Sequence, residues 1–161
     1  MVNELVLCVK MAAMPDQTRA ELPFLLLRAG SRLVDGIQEG MGRRGFDDVR
    51  PAHGFAFALF AQGGATAGEL AEHLGVTKQA AAQMVDDLER KEYVARTAHP
   101  HDSRAKVVVL TEQGHACTHA AEESAAEVLG PWLDDLGVKR SSALARDLAL
   151  FAREGRLRPT W

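Results

Sequence analysis

Lys78, Gln79 and Gln83 stand in the opening turns of the segment KQAAAQMVDDLER, whose apolar residues Ala81, Met84, Val85 and Leu88 recur at helical spacing. Positions 79 and 83 lie four apart and share one face of such a helix. Lysine donates to guanine or to phosphate, and glutamine bonds adenine bidentately. The small residues Ala80, Ala81 and Ala82 would let that face approach a groove closely. The chemistry implied is the reading of base edges in duplex DNA.

The elements that must carry these side chains are legible on either side. Leu70, Ala71 and Leu74 recur at helical spacing and stop at Gly75, a residue that closes helices because it enters the left-handed region without strain. Thr77 then offers an oxygen to the free N–H groups of a second helix, expected from about Lys78 to Arg90. Two helices joined by a short turn containing Gly make a helix-turn-helix, whose second helix can lie in a major groove. Two β-prone runs follow, Tyr93-Val94-Ala95-Arg96 and Lys106-Val107-Val108-Val109-Leu110. They bracket the turn-forming segment His99-Pro100-His101-Asp102-Ser103-Arg104, which predicts a hairpin with a basic tip.

Through ELAEHLGVTKQAAAQMVDDLERKEYV, the loop HPHDSRAK and the run VVVLTEQG, the sequence resembles the MarR family of winged-helix transcriptional regulators. The resemblance implies a mainly α fold with a small β-hairpin wing, a winged helix-turn-helix flanked by N- and C-terminal dimerisation helices. It also implies that Arg104 enters or borders the minor groove while Asp102 orients it, which agrees with the attraction of arginine to a narrow A·T minor groove. On this reading Lys78, Gln79 and Gln83 contact base edges, Thr77 and Thr66 contact phosphates, and Arg96 with Lys106 contacts the adjacent backbone.

The flanks fit that plan. Residues 1–16 are expected to be an N-terminal extension, and 17–161 a single domain in which 17–50 and 111–161 dimerise and 51–110 bind DNA. Thr18-x-x-Glu21 fits a capping box for a long first helix, with Leu22, Leu26, Ala29, Leu33 and Ile37 continuing to Gly40. Gly40, Gly42 and Gly45 then predict a loop, and Pro51 opens a second helix that ends at Gly63-Gly64. Thr66 is placed to cap the helix that follows. Thr111 is expected to cap a long fifth helix interrupted at Gly130-Pro131, and Val138, Leu144, Leu148 and Phe151 define a last helix ending near Gly155. His53, Phe55, Phe57 and Phe60 cluster on the second helix; the family often binds small aromatic or phenolic ligands near there, which makes His53 and Phe57 candidate effector contacts, although aromatic stripes are commonly core.

Composition narrows the class. The chain has 161 residues, 47% hydrophobic and 25% charged, ordinary values for a globular domain. The formal charge of −3 does not itself suggest a nucleic-acid binder, but DNA needs a basic surface rather than a basic total. Residues 138–161 carry six basic side chains against two acidic, whereas 111–137 are acidic. Cys8 and Cys117 are too few for a disulfide scaffold and suggest a reducing compartment; with no apolar span or signal peptide, a cytoplasmic location is expected.

Other chemistries lack their parts. His115 and His119 stand at i, i+4 with Glu122 and Glu123 one turn on, but two ligands do not complete a tetrahedral metal shell. Cys8 has only Lys10 beside it to activate a thiolate for redox sensing. No P-loop, GxGxxG or Ser-His-Asp pattern is present, so no enzyme, metal or cofactor is expected. The expectation is a homodimeric, sequence-specific regulator on a pseudo-palindromic duplex operator, a repressor released by a small molecule. The alternative is a winged-helix interaction or dimerisation module without specific DNA binding.

Overall fold

The computed structural model describes residues 16–99 and 102–152, with side chains at 18–98 and 106–152. The element order is α1 (Asp16–Arg43), α2 (Pro51–Phe60), α3 (Ala67–Leu74), α4 (Lys78–Arg90), β1 (Val94–His99), β2 (Asp102–Leu110) and α5 (Glu112–Ala152). Contacts group the chain into two units, up to Asp35 and from Gly36 onward, so α1 belongs to both. In the first unit the helix leaves Leu22, Phe24, Leu25, Leu26 and Leu27 exposed.

α1 differs from expectation at both ends. The helix already runs at Asp16, which puts Thr18 inside its first turn rather than at its cap. It also continues through Gly40 and Gly42 to Arg43 instead of opening into a loop. The reason is a close helix crossing within the second unit. A Cβ on Gly40 would stand 2.4 Å from Ser124 Oγ, and one on Gly36 would stand 2.5 Å from Val128 Cγ2. These glycines serve approach rather than chain reversal. Arg44 fastens the crossing through Glu123 at 3.2 Å and Glu127 at 2.5 Å.

The second unit is built around Phe60, Leu70, Leu74, Val85, Leu88, Val94 and Val108, all fully buried. α2 starts at Pro51, whose missing N–H costs nothing in a first turn. After Gly63 and Gly64, both at positive φ, Ala65 exchanges two backbone hydrogen bonds with Val108, of 3.0 and 2.8 Å. The hairpin thus gains a one-residue third strand that the sequence reading did not foresee. A Cβ on Gly64 would meet the Val108 carbonyl at 2.9 Å, so only glycine fits beside that bridge.

α3 closes at Gly75, left-handed at φ 65°, and α4 begins behind Thr77, whose Oγ1 accepts from the Ala80 amide at 3.1 Å. The turn after α4 passes through Glu92 at φ 61°, a conformation strained for a side chain with a Cβ. β1 and β2 pair antiparallel from Val94↔Leu110 to Ala98↔Lys106, with an irregularity between Ala98 and His99.

Thr111 joins the hairpin to α5. Its hydroxyl donates to the Glu92 carbonyl at 2.5 Å and accepts from the Gly114 amide at 3.1 Å. α5 does not break at Gly130-Pro131. Pro131 stands at an exposed position and the helix passes through it. The break falls at Gly137, whose φ of 72° and ψ of 161° suit glycine alone, dividing α5 into 112–136 and 138–152. The expected helix end near Gly155 lies outside the described residues, as do the N-terminal extension and Cys8.

Candidate nucleic-acid interface

α4 is amphipathic in the required sense. Ala81, Val85 and Leu88 are fully buried, Gln79 and Gln83 are exposed on the opposite side, and Lys78 is exposed at the helix start, on the side of the buried stripe. Ala81 therefore serves the core and not the approach surface; Ala80 is exposed and Ala82 partly so. Thr77 is exposed, and because the cap uses its oxygen only as an acceptor, its hydroxyl proton is left for a further acceptor at the helix start.

Thr66 is in a different state. It accepts from the Glu69 amide at 3.2 Å and gives its one hydroxyl proton to Glu69 Oε2 at 2.9 Å, while its own amide donates to the same oxygen at 2.7 Å. This reciprocal cap holds α3. A phosphate contact through Thr66 would have to displace the Glu69 carboxylate.

Several cations near the hairpin are spoken for within the protein. Arg90 pairs with Asp87, and Lys91 lies 3.1 Å from Asp87 and donates to the Asp48 carbonyl at 2.9 Å. Arg96 pairs with both Asp86 and Glu89. Exposed positive charge beside the α4 face thus comes, among the described residues, chiefly from Lys78 and Lys106. The side chains of Asp102 and Arg104 lie outside the described ones; their backbone begins β2.

Behind α4 sits a polar lock that sequence reasoning missed. The Tyr93 hydroxyl donates to Asp48 Oδ1 at 2.8 Å, and burial together with that bond pushes the phenol up to about 12. The Tyr93 ring meets Phe57 at 5.7 Å and Phe46 at 6.3 Å between centroids. Phe57 is therefore core, as is Phe60. The tyrosine and the acid are 45 residues apart, and no local pattern links them.

His53 is buried as well, and its Nδ1 accepts from the Arg50 amide at 3.2 Å. Burial first, and then the nearby Lys91 charge, lower its pKa below the ordinary 6.5, against the opposing pull of Asp87. The unfolded chain therefore takes up this proton before the folded one does. Stability should be indifferent to His53 above pH 6.5 and decline as pH falls below that value. Thermal unfolding between pH 7.5 and 5 should show this slope, and His53→Gln should flatten it; an identical slope in the variant would assign the effect elsewhere.

The remaining candidates for chemistry are quiet. Burial pushes the Cys117 thiol up to about 12, so it is a packing residue at neutral pH. His119 Nδ1 lies 3.3 Å from Glu123, and His115 is exposed beside it. Among the described residues no group of three or more His, Cys, Asp and Glu is gathered for a metal, and no helix is long and apolar enough to cross a membrane.

Comparison with known proteins agrees with this geometry. The MarR family model matches residues 49–105, which span α2 to the start of β2. The chain is 31% identical over 100 residues to the HTH-type transcriptional repressor MdtR of Bacillus subtilis strain 168, a match covering 62% of this chain and 63% of that protein's length. Among solved structures, the repressor CouR bound to a 23-mer DNA duplex superposes with a TM-score of 0.67 at 25% identity, covering 86% of this chain and 98% of CouR. CouR, from Rhodococcus jostii RHA1 in a related structure, is also similar in its complex with p-coumaroyl-CoA, at TM-score 0.64 and 26% identity over 88% of this chain and 99% of that one. A capped α4 beside a two-stranded hairpin is thus similar in sequence to the MarR family model over residues 49–105 and similar in fold to these winged-helix transcriptional regulators.

Proposed function

We propose that the protein is a homodimeric, sequence-specific DNA-binding repressor whose operator affinity falls when a small aromatic or phenolic molecule binds. The observation that carries this reading is the outward face of α4, where Gln79 and Gln83 stand exposed opposite a fully packed face, with Lys78 exposed beside them at the helix start. Lys78, Gln79 and Gln83 contact base edges, Thr77 contacts phosphate, and Lys106 contacts the backbone beside the wing. Arg104, oriented by Asp102, addresses the minor groove. The similarity to MdtR, named a repressor, and to CouR on a DNA duplex supports that use of the fold.

Dimerisation is supported by apolar side chains that a single chain leaves in water. In the first unit these include Phe24 and Leu27; in the second, Trp132, Val138, Leu150 and Phe151. Apolar exposure on this scale marks an association surface. A two-fold dimer presents two reading helices to half-sites about 34 Å apart, so the operator is a pseudo-palindrome.

The ligand class rests on CouR, which binds p-coumaroyl-CoA. An effector reaching His53 and Phe57 has to open the core behind α4, because Phe57 packs on Tyr93 directly after that helix. Such a ligand favours the arrangement that reads DNA poorly, and only that difference in affinity releases the operator.

The test is binding of the purified protein to DNA upstream of its own gene, against random duplex, across a salt series. Selective binding that weakens steeply with salt is expected. Arg104→Ala should weaken operator binding by about tenfold while leaving the oligomer intact by sedimentation. Equal, weak, salt-insensitive binding to both duplexes would instead favour an interaction module. The pairing of Arg90, Lys91 and Arg96 with carboxylates is the observation on that side.

A further inference from the structure

Arg96 is bound by two carboxylates of the reading helix. Its Nη2 donates to Asp86 Oδ1 at 2.5 Å, its Nη1 donates to Glu89 Oε2, and its own amide donates to Glu89 Oε1 at 3.2 Å. Asp86 and Glu89 lie three apart on α4 and so share a face. Strand parity agrees with an inward direction for Arg96: it is two residues from buried Val94 and directly opposite buried Val108. Two negative charges against one positive leave this spot net negative, which repels phosphate rather than attracting it.

We propose that Arg96 is a positioning residue that locks the base of the hairpin to the reading helix, so that the wing tip and α4 meet DNA at a set angle. This rests on the DNA-binding reading given above. A planar guanidinium with donors aimed at two carboxylates fixes rotation as well as distance, which a single point charge does not. Thr97 and Ala98, the next residues toward the tip, are exposed. Along β1, Arg96 is therefore the outermost described side chain fastened to α4.

The two roles open to Arg96 give opposite signs. If it is a brace, Asp86→Asn, Glu89→Gln and Arg96→Met each weaken operator binding by about tenfold, and adding Arg96→Met to either carboxylate variant weakens it little further. The salt slope of Arg96→Met then equals that of wild type. If Arg96 is a phosphate contact, its removal lowers the slope by about one per subunit, and the carboxylate variants bind as tightly as wild type or tighter, because negative charge beside DNA has gone. That second pattern overturns the proposal. Asp86 is largely exposed, so Asp86→Asn keeps the test open should Arg96→Met fail to fold.

Hydrogen exchange without DNA gives an independent arm. The Arg96 amide should exchange faster in Glu89→Gln than in wild type, since its acceptor is weakened. Unchanged exchange overturns the brace. A wild type that binds no DNA selectively defeats the proposed function, while the exchange arm still decides whether the lock exists.

Discussion

Gln79→Ala should lower operator affinity by about a hundredfold or more and relax the preference at one base pair in each half-site. A bidentate glutamine–adenine pair is worth about 1–3 kcal/mol of discrimination, and a two-fold dimer makes it twice. Gln79 is exposed in the first turn of α4, next to Lys78 and one turn from Gln83, while the helix behind it is anchored by buried Ala81, Val85 and Leu88. Removing the amide should therefore leave folding intact and act on recognition alone. Competition between the operator and single-base variants checks this. A uniform loss across all sequences, with a shallower salt slope, would make Gln79 a backbone contact instead.

Gly114→Ala should destabilise the fold by about 3 kcal/mol or more, among the largest effects available from one methyl group. The added Cβ would stand 2.1 Å from the Tyr93 carbonyl and 3.2 Å from Leu110 Cδ2. That carbonyl is held by the Thr111 amide at 3.1 Å, and the Tyr93 side chain is held by Asp48 and by two aromatic rings. The strand cannot retreat without losing the lock behind α4, so the start of α5 has to move. Urea unfolding should show a lower midpoint with an unchanged slope, and DNA binding should fall with it. A midpoint within error of wild type would mean that α5 can shift freely against the hairpin.

These two positions were unequally legible. The role proposed for Gln79 follows from its residue type and its place four residues before Gln83, both local properties. Gly114 sits in the run TEQG, where a sequence reader finds only the start of a helix; its importance lies in a carbonyl 21 residues earlier. Arg96 shows the same divide more sharply. A basic residue in a wing strand suggests a DNA backbone contact, and its engagement by Asp86 and Glu89 depends on how the turn through Glu92 lays the strand across α4.

The sequence by itself determined the element order, the caps at Thr66, Thr77 and Thr111, the stop at Gly75 and the exposed polar face of α4. These rest on hydrogen bonds and periodicities that span at most a few residues, so the local chain carries them. Only the tertiary structure decided that Gly40 lies within a helix, that α5 breaks at Gly137 rather than at Pro131, that His53 and Phe57 are core, and that Arg96 faces the helix. Each of these turns on which surfaces meet across the fold. A glycine, a proline or an arginine has the same local signature whether it faces a neighbouring element or water, and its partner decides its role.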